Sequence, residues 1–150
     1  MNRYVLDSFA LLAYIQREPG AIEVKSVLQE AGAGRSAAYM SLINLGEVLY
    51  QLERRQGSDQ LPQLLALLDE LPLTVVEVTR PRVYAAAHLK AHYAIACGDT
   101  FAAALAQELD AVVLTGDPEF RKLGDAVGIQ WLPPTVNPSP KEQTPAPPLP

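Results

Sequence analysis

Cysteine is nearly missing from this chain. Cys97 is the only one in 150 residues, so no intrachain disulfide can form and a disulfide-stapled scaffold is excluded. Lacking a CxxC partner, Cys97 is expected to be a small buried residue rather than a nucleophile. Histidine is almost as scarce. His88 and His92 stand i,i+4 on one helix, a spacing that can bind zinc, but no Glu follows His88 in an H-E-x-x-H pattern and no cysteine pair completes a site. No stretch approaches about 18 uninterrupted apolar residues, so no membrane span is expected. The start, MNRYVLDSF, has no apolar signal core because Asp7 interrupts the first hydrophobic run. A cytoplasmic location is therefore expected. A basic excess is lacking too: the net charge is −5, which argues weakly against a nucleic-acid partner and leaves the question to local patches.

Apolar residues are plentiful at 49%, an ordinary level for a folded soluble domain. From Pro133 onward the composition changes to PPTVNPSPKEQTPAPPLP. That segment cannot build a core and is expected to be extended or disordered, or else to serve as a proline-rich docking strand. Residues 1–132 then fit one domain, and a chain near this length buries about 68–70% of its unfolded surface.

Periodicity and turn signals divide that domain into alternating elements. Tyr4–Leu6 reads as a buried strand, followed by a helix through Phe9, Leu12 and Ile15 that Pro19-Gly20 breaks. A helix over Ala21–Ala31 and a strand over Ser36–Met40 come next. Ser41 is a plausible N-cap for a helix whose core stripe is Leu42, Leu45, Val48, Leu49 and Leu52, closed by Gly57. A Leu-rich helix opens at Ser58, with Pro62 in its first turn. Leu73–Val78 reads as a strand, and Pro81 starts a helix reaching about Ile95. An Ala-rich helix runs from Thr100 to Leu109 with Asp99 at its head. Ala111–Leu114 is a strand, Thr115-Gly116-Asp117-Pro118 a turn, Glu119–Leu123 a short helix, and Ile129–Trp131 a last strand. Strands alternating with helices indicate an α/β domain with a mainly parallel sheet, whose ligands bind beyond the carboxyl ends of the strands.

Four acids adjoin these apolar segments. Asp7 follows a strand and precedes a helix, so it reads equally as an N-cap and as a ligand. Glu47 lies within a helix beside its apolar stripe, with Asn44 one turn before it on the same face. Asp99 heads a helix whose N-terminus stabilises its ionised form. Asp117 sits in T-G-D-P, a turn signal in its own right. If the fold gathers them, uncompensated carboxylates repel one another and resist ionisation. Hard divalent cations with oxygen ligands resolve that conflict.

The segments LDSFALLAYI, SLINLGEVLYQL and GDTFAAALAQELDAVVLTGDPEF resemble the PIN-domain family, most closely its small VapC-type toxins. The resemblance spans about residues 3–132. It implies a three-layer α/β/α fold and a metal-dependent ribonuclease. Asp7, Glu47, Asp99 and Asp117 match the family's catalytic, metal-holding acids, while Ser8, Asn44 and Thr115 match supporting positions. Mg²⁺ or Mn²⁺ is the implied cofactor, one or two ions acidifying a water for phosphodiester hydrolysis. An RNA substrate, a cognate antitoxin and a homodimer are the implied partners. Gly98 departs from the common residue before the helix-leading Asp and is expected to be harmless. The proline tail is not explained by the resemblance.

Other readings fare worse. The P-loop pattern is missing. A haloacid-dehalogenase-type enzyme needs a second Asp where Phe9 stands, and a receiver domain needs paired early acids and a late lysine. A catalytically silent PIN-like module that works by binding a partner stays open. For RNA, Arg54, Arg55, Arg80, Arg82, Lys90, Arg121 and Lys122 are candidate phosphate contacts. Tyr14, Tyr50 and Tyr93 are candidate stacking groups, although aromatics at helical spacing are more often core.

Overall fold

A computed structural model of the chain describes residues 1–135. The tail expected from Pro133 falls, beyond residue 135, outside the described residues. Five parallel strands form one sheet in the order β3-β2-β1-β4-β5, with β1 at Asn2–Leu6, β2 at Ser36–Ser41, β3 at Thr74–Val76, β4 at Val112–Thr115 and β5 at Ile129–Trp131. Six α-helices join them: α1 (Ser8–Ile15), α2 (Ala21–Gly32), α3 (Leu42–Gln56), α4 (Leu61–Glu70), α5 (Arg80–His92) and α6 (Cys97–Leu109). Two 3₁₀ segments, Ser58–Gln60 and Pro118–Ala126, complete the described elements.

The side-chain alternation of the strands separates the layers. Val5 of β1 stands beside Tyr39 of β2 and Val113 of β4, and all three face the core shared with α5 and α6. Leu6, Ala38 and Leu114 point the other way, into the core under α2. Met40 joins Leu11 and Leu12 of α1 and Val48 and Leu52 of α3 in a third cluster on that side. The result is a helix layer on each face of a parallel sheet, the expected three-layer α/β/α arrangement.

Several expected boundaries move. The β3 ladder is Thr74–Val76 rather than Leu73–Val78, because its partner β2 ends at Ser41, opposite Val76, where α3 begins. α5 stops at His92 instead of continuing to Ile95. Tyr93 turns extended, and Ile95 drops into the core beside α6 at 2% exposure. No glycine or proline marks that break; burial of Ile95 makes it.

α6 begins at Cys97, capped by the backbone of Ala96, so Asp99 sits inside the first turn and is not the N-cap. Cys97 itself is exposed, not buried as expected, because it opens the helix at the rim of the sheet. On α3 the expected stripe is also corrected. Leu42 is 40% exposed, and the buried positions are Asn44, Val48, Gln51 and Leu52. Ser41 caps the helix as expected, its hydroxyl oxygen accepting the Ile43 N–H at 3.2 Å. Among the described residues, no helix is long and apolar enough to cross a membrane.

Candidate metal centre

Because the strands are parallel, β1, β2 and β4 end on the same edge of the sheet. Asp7 directly follows β1, and Asp117 lies two residues after β4, which flanks β1. β2 flanks β1 on its other side and passes directly into α3, the carrier of Asn44 and Glu47. α6 returns across the sheet and packs against α3, bringing its first turn, with Gly98 and Asp99, to the same place. Strand order thus gathers acids that lie more than a hundred positions apart in sequence.

Asp7 is the best-held of them. One carboxylate oxygen caps α1, accepting the Ala10 N–H at 2.9 Å. The other accepts the Thr115 hydroxyl at 2.5 Å. Thr115 is fully buried, and its oxygen also accepts the Asp117 N–H at 3.0 Å. Asp117 caps the 3₁₀ segment by accepting the Glu119 N–H at 3.0 Å. Across the site, the Ser8 hydroxyl donates to Glu47 Oε2 at 3.2 Å. The Asn44 amide donates to the Gly98 carbonyl at 3.0 Å and ties α3 to α6. Every supporting position expected from the sequence therefore lies in this network: Ser8 on Glu47, Thr115 on Asp7 and Asn44 on the backbone before Asp99.

The electrostatics are those of a partly buried anionic pocket. Burial pushes Asp7 up to about 7 despite the two hydrogen bonds that favour its charge, with Asp117 and Glu47 adding repulsion. Burial also pushes Asp99 up to about 8, reinforced by the charges of Asp117, Asp7, Glu47 and Glu119. Asp99 Oδ2 and Asn44 Oδ1 are buried with no hydrogen-bond partner among the described residues. Orphaned oxygens among crowded carboxylates suit a hard, oxygen-seeking cation such as Mg²⁺ or Mn²⁺. Among the described residues, no three His, Cys, Asp or Glu side chains stand close enough to hold an ion between them.

Two features escaped the sequence reading. Gly98 is not merely tolerated: a Cβ there would overlap Glu47 Oε1, so glycine leaves that carboxylate its place. Its only sequence signal was its place beside Asp99. Glu119 is a fifth acid at the site, felt by Asp99 and accepting the Ala96 N–H at 3.4 Å. Its place two residues after Asp117 was the available signal.

The other candidates scatter. Arg82 is engaged with Glu108 through two bonds of 3.0 and 3.1 Å, and Lys90 donates to the Ile95 carbonyl. Lys122 donates to the Ala94 carbonyl at 3.0 Å and pairs with Glu119 at 3.5 Å. Arg54 lies over Tyr50, and Arg121 over Trp131. Tyr14 and Tyr93 pack against core clusters, whereas Tyr50 is 41% exposed. His88 and His92 touch edge to face at 4.7 Å but gain no third ligand among the described residues.

The family model of the PIN domain matches residues 4–126. No curated protein matches the chain. Among solved structures, VapBC2 from Rickettsia felis, bound to a DNA fragment from its promoter, is similar at 14% identity and TM-score 0.68, over 87% of this chain and 99% of that one. VapBC-1 from nontypeable Haemophilus influenzae is similar at 22% identity and TM-score 0.64, over 86% and 97%. VapC20 from Mycobacterium tuberculosis, a Sarcin-Ricin loop cleaving toxin, is similar at 17% identity and TM-score 0.59, over 81% and 95%. At these identities the likeness is one of fold.

Proposed function

This chain belongs to the PIN-domain family, and on that premise we propose that it is a metal-dependent endoribonuclease that hydrolyses RNA phosphodiester bonds. The observation that carries the reading is the gathering of Asp7, Glu47, Asp99 and Asp117 at one sheet edge, with Asp7 and Asp99 pushed up to about 7 and 8. A pocket that so disfavours its own ionisation calls for a cation. Asp7, Asp99 and Asp117 would hold Mg²⁺ or Mn²⁺, with Glu47 as a direct or water-mediated ligand. When bound, the ion supplies the positive charge that makes water a nucleophile at neutral pH and offsets charge on the departing oxygen.

The protein's own part is positioning. Thr115 fixes the Asp7 carboxylate and, through the Asp117 N–H, the turn after β4. Ser8 holds Glu47, and Asn44 locks the first turn of α6 against α3. Asp7 and Asp99 would have to be deprotonated to hold a cation, so binding would strengthen as pH rises through their range.

The fold shared with VapBC proteins supports a toxin role with a cognate antitoxin. A homodimer is supported by exposed apolar side chains on α3, α4 and α5, including Ile43, Leu67 and Tyr84. We read residues 1–132 as the nuclease domain, residues 133–150 as an appended proline-rich tail, and the cytoplasm as the place of action.

The test is cleavage of a panel of labelled RNAs by the wild type, Asp7→Asn and Asp99→Asn while Mn²⁺ or Mg²⁺ is titrated. Metal-dependent cutting by the wild type, reduced at least a hundredfold in either variant, is the expected result. Equally undetectable cutting by all three would replace the ribonuclease with a non-catalytic binding module.

A further inference from the structure

A second polar recess lies toward the opposite edge of the sheet, near the N-terminal ends of β1 and β2. It has a volume of about 220 Å³ and is open on one side. Tyr4 of β1, Ser36 of β2 and Gln130 of β5 line it from the sheet. Glu23, Ser26 and Glu30 line it from α2 at i, i+3 and i+7 spacing, which is one helix face. Elsewhere on the same sheet face Leu6, Ala38 and Leu114 form an apolar core under α2. The polar half is therefore a local departure from the character of that face.

Two observations mark it as a place for a ligand. Ser36 is only 7% exposed, and its hydroxyl has no hydrogen-bond partner among the described residues. A buried hydroxyl in that condition is a standing cost that a bound donor or acceptor relieves. The second observation is charge. Arg35 grips both oxygens of Glu30, at 2.7 and 2.8 Å, so that pair is neutral. Glu23 has no ion-pair partner among the described residues, so the recess keeps one uncompensated negative charge.

Ser26, Ser36, Gln130 and Tyr4 line the same recess as that charge. These groups accept hydrogen bonds or face a cation well. The volume falls below the roughly 300–1,000 Å³ of drug-sized sites, which favours a fragment over a nucleotide. Phosphate is disfavoured by the carboxylate. We propose that this recess binds a small organic cation of the guanidinium or alkylammonium class, with Glu23 as counter-charge and Ser36 in its lining. Such a group could arrive as a free small molecule or as the arginine side chain of a partner.

The test is an amide chemical-shift titration of the full-length protein. Methylguanidine serves as the free cation, acetyl-Gly-Arg-Gly-amide as the peptide-borne one, and the matching citrulline peptide as a neutral control. Shifts are expected at Tyr4, Ser26, Ser36 and Gln130, with affinity at least tenfold weaker in Glu23→Gln and unchanged in Asp99→Asn. Tighter binding of the peptide would identify a partner's arginine as the source, and tighter binding of methylguanidine a free ligand. Equal binding by Glu23→Gln and the wild type, equal binding of the citrulline peptide, or shifts confined to Asp7 and Asp99 would each overturn the proposal. Loss of the site's shifts in Ser36→Ala, with the remaining spectrum unchanged, is expected as well.

Discussion

The Thr115 hydroxyl donates to the Asp7 carboxylate at 2.5 Å, joining the ends of two adjacent parallel strands across 108 positions of sequence. Both residues are buried, and the bond favours the charged form of a carboxyl that burial otherwise keeps protonated. Thr115→Val removes it at nearly constant volume. Asp7 then moves further above 7, and Mn²⁺ affinity at neutral pH is expected to fall about tenfold, the equivalent of roughly one pKa unit. Calorimetric titration measures this, and an unchanged affinity would mean that the hydroxyl does not support the acid.

Gly98 and Glu47 make a second pair whose fit can be measured. Gly98→Ala places a methyl group where Glu47 Oε1 now lies, so the end of the flexible Glu47 side chain must turn aside. The expected cost is about 1 kcal/mol or less, because the end of a flexible side chain yields and alanine is the better helix former. Because the clash is with one side chain, Glu47→Ala should absorb most of it. A double-mutant cycle by denaturant unfolding checks this, and simple additivity of the two changes would refute the contact.

The raised carboxyls make a signed prediction about pH. Asp7 and Asp99 titrate near 7 and 8 in the folded chain, against an ordinary 3.8. The folded state therefore binds their protons more tightly than the unfolded state does. Their favourable contribution is complete below the ordinary value and is lost as pH rises through 7 and 8. Metal-free protein should melt at progressively lower temperature between pH 5 and pH 8.5. Asp99→Asn should flatten that slope and be the more stable protein at pH 8.5, while saturating Mn²⁺ should restore the wild type alone. A melting temperature that rises over this range would contradict the assignment.

Tyr84 on α5 is 63% exposed, an unusual position for a large aromatic side chain on a free surface. If the chain pairs through this helix, sedimentation should give twice the monomer mass for the wild type. Tyr84→Glu should shift the equilibrium toward monomer by at least tenfold, leaving the circular dichroism spectrum unchanged. A wild type that stays monomeric at high concentration would remove the dimer from the proposed function.

Much of the architecture was legible because it depends on neighbours in sequence. Ser41 reads as a cap, Gly57 as a stop and Ala111–Leu114 as a buried strand from local chemistry alone, and each lies in or beside the corresponding element. Where burial against distant residues decides, local signals fail. Ile95 ends α5 by sinking into the core, and Cys97 is carried to the rim although its type favours the interior. Leu42 reads as part of the α3 stripe, yet Asn44 and Gln51 are the residues that α3 buries. An apolar period shows that a helix has an inward face, but the neighbouring helix sets which residues complete it.

The sequence by itself determined the alternation of strand and helix, the acids at their junctions and the glycines at their ends, because propensity, capping and turn chemistry act over a few residues. Tertiary structure alone decided that β4 lies beside β1, which bonds Thr115 to Asp7 and brings Asp117 and Asp99 close enough for their charges to be felt. It also decided that Gly98 faces the Glu47 carboxylate, and that Ser36 is left without a partner beside an unpaired Glu23 among the described residues. Repulsion and desolvation depend on distance and burial in space, and neither quantity exists until the chain has closed its sheet.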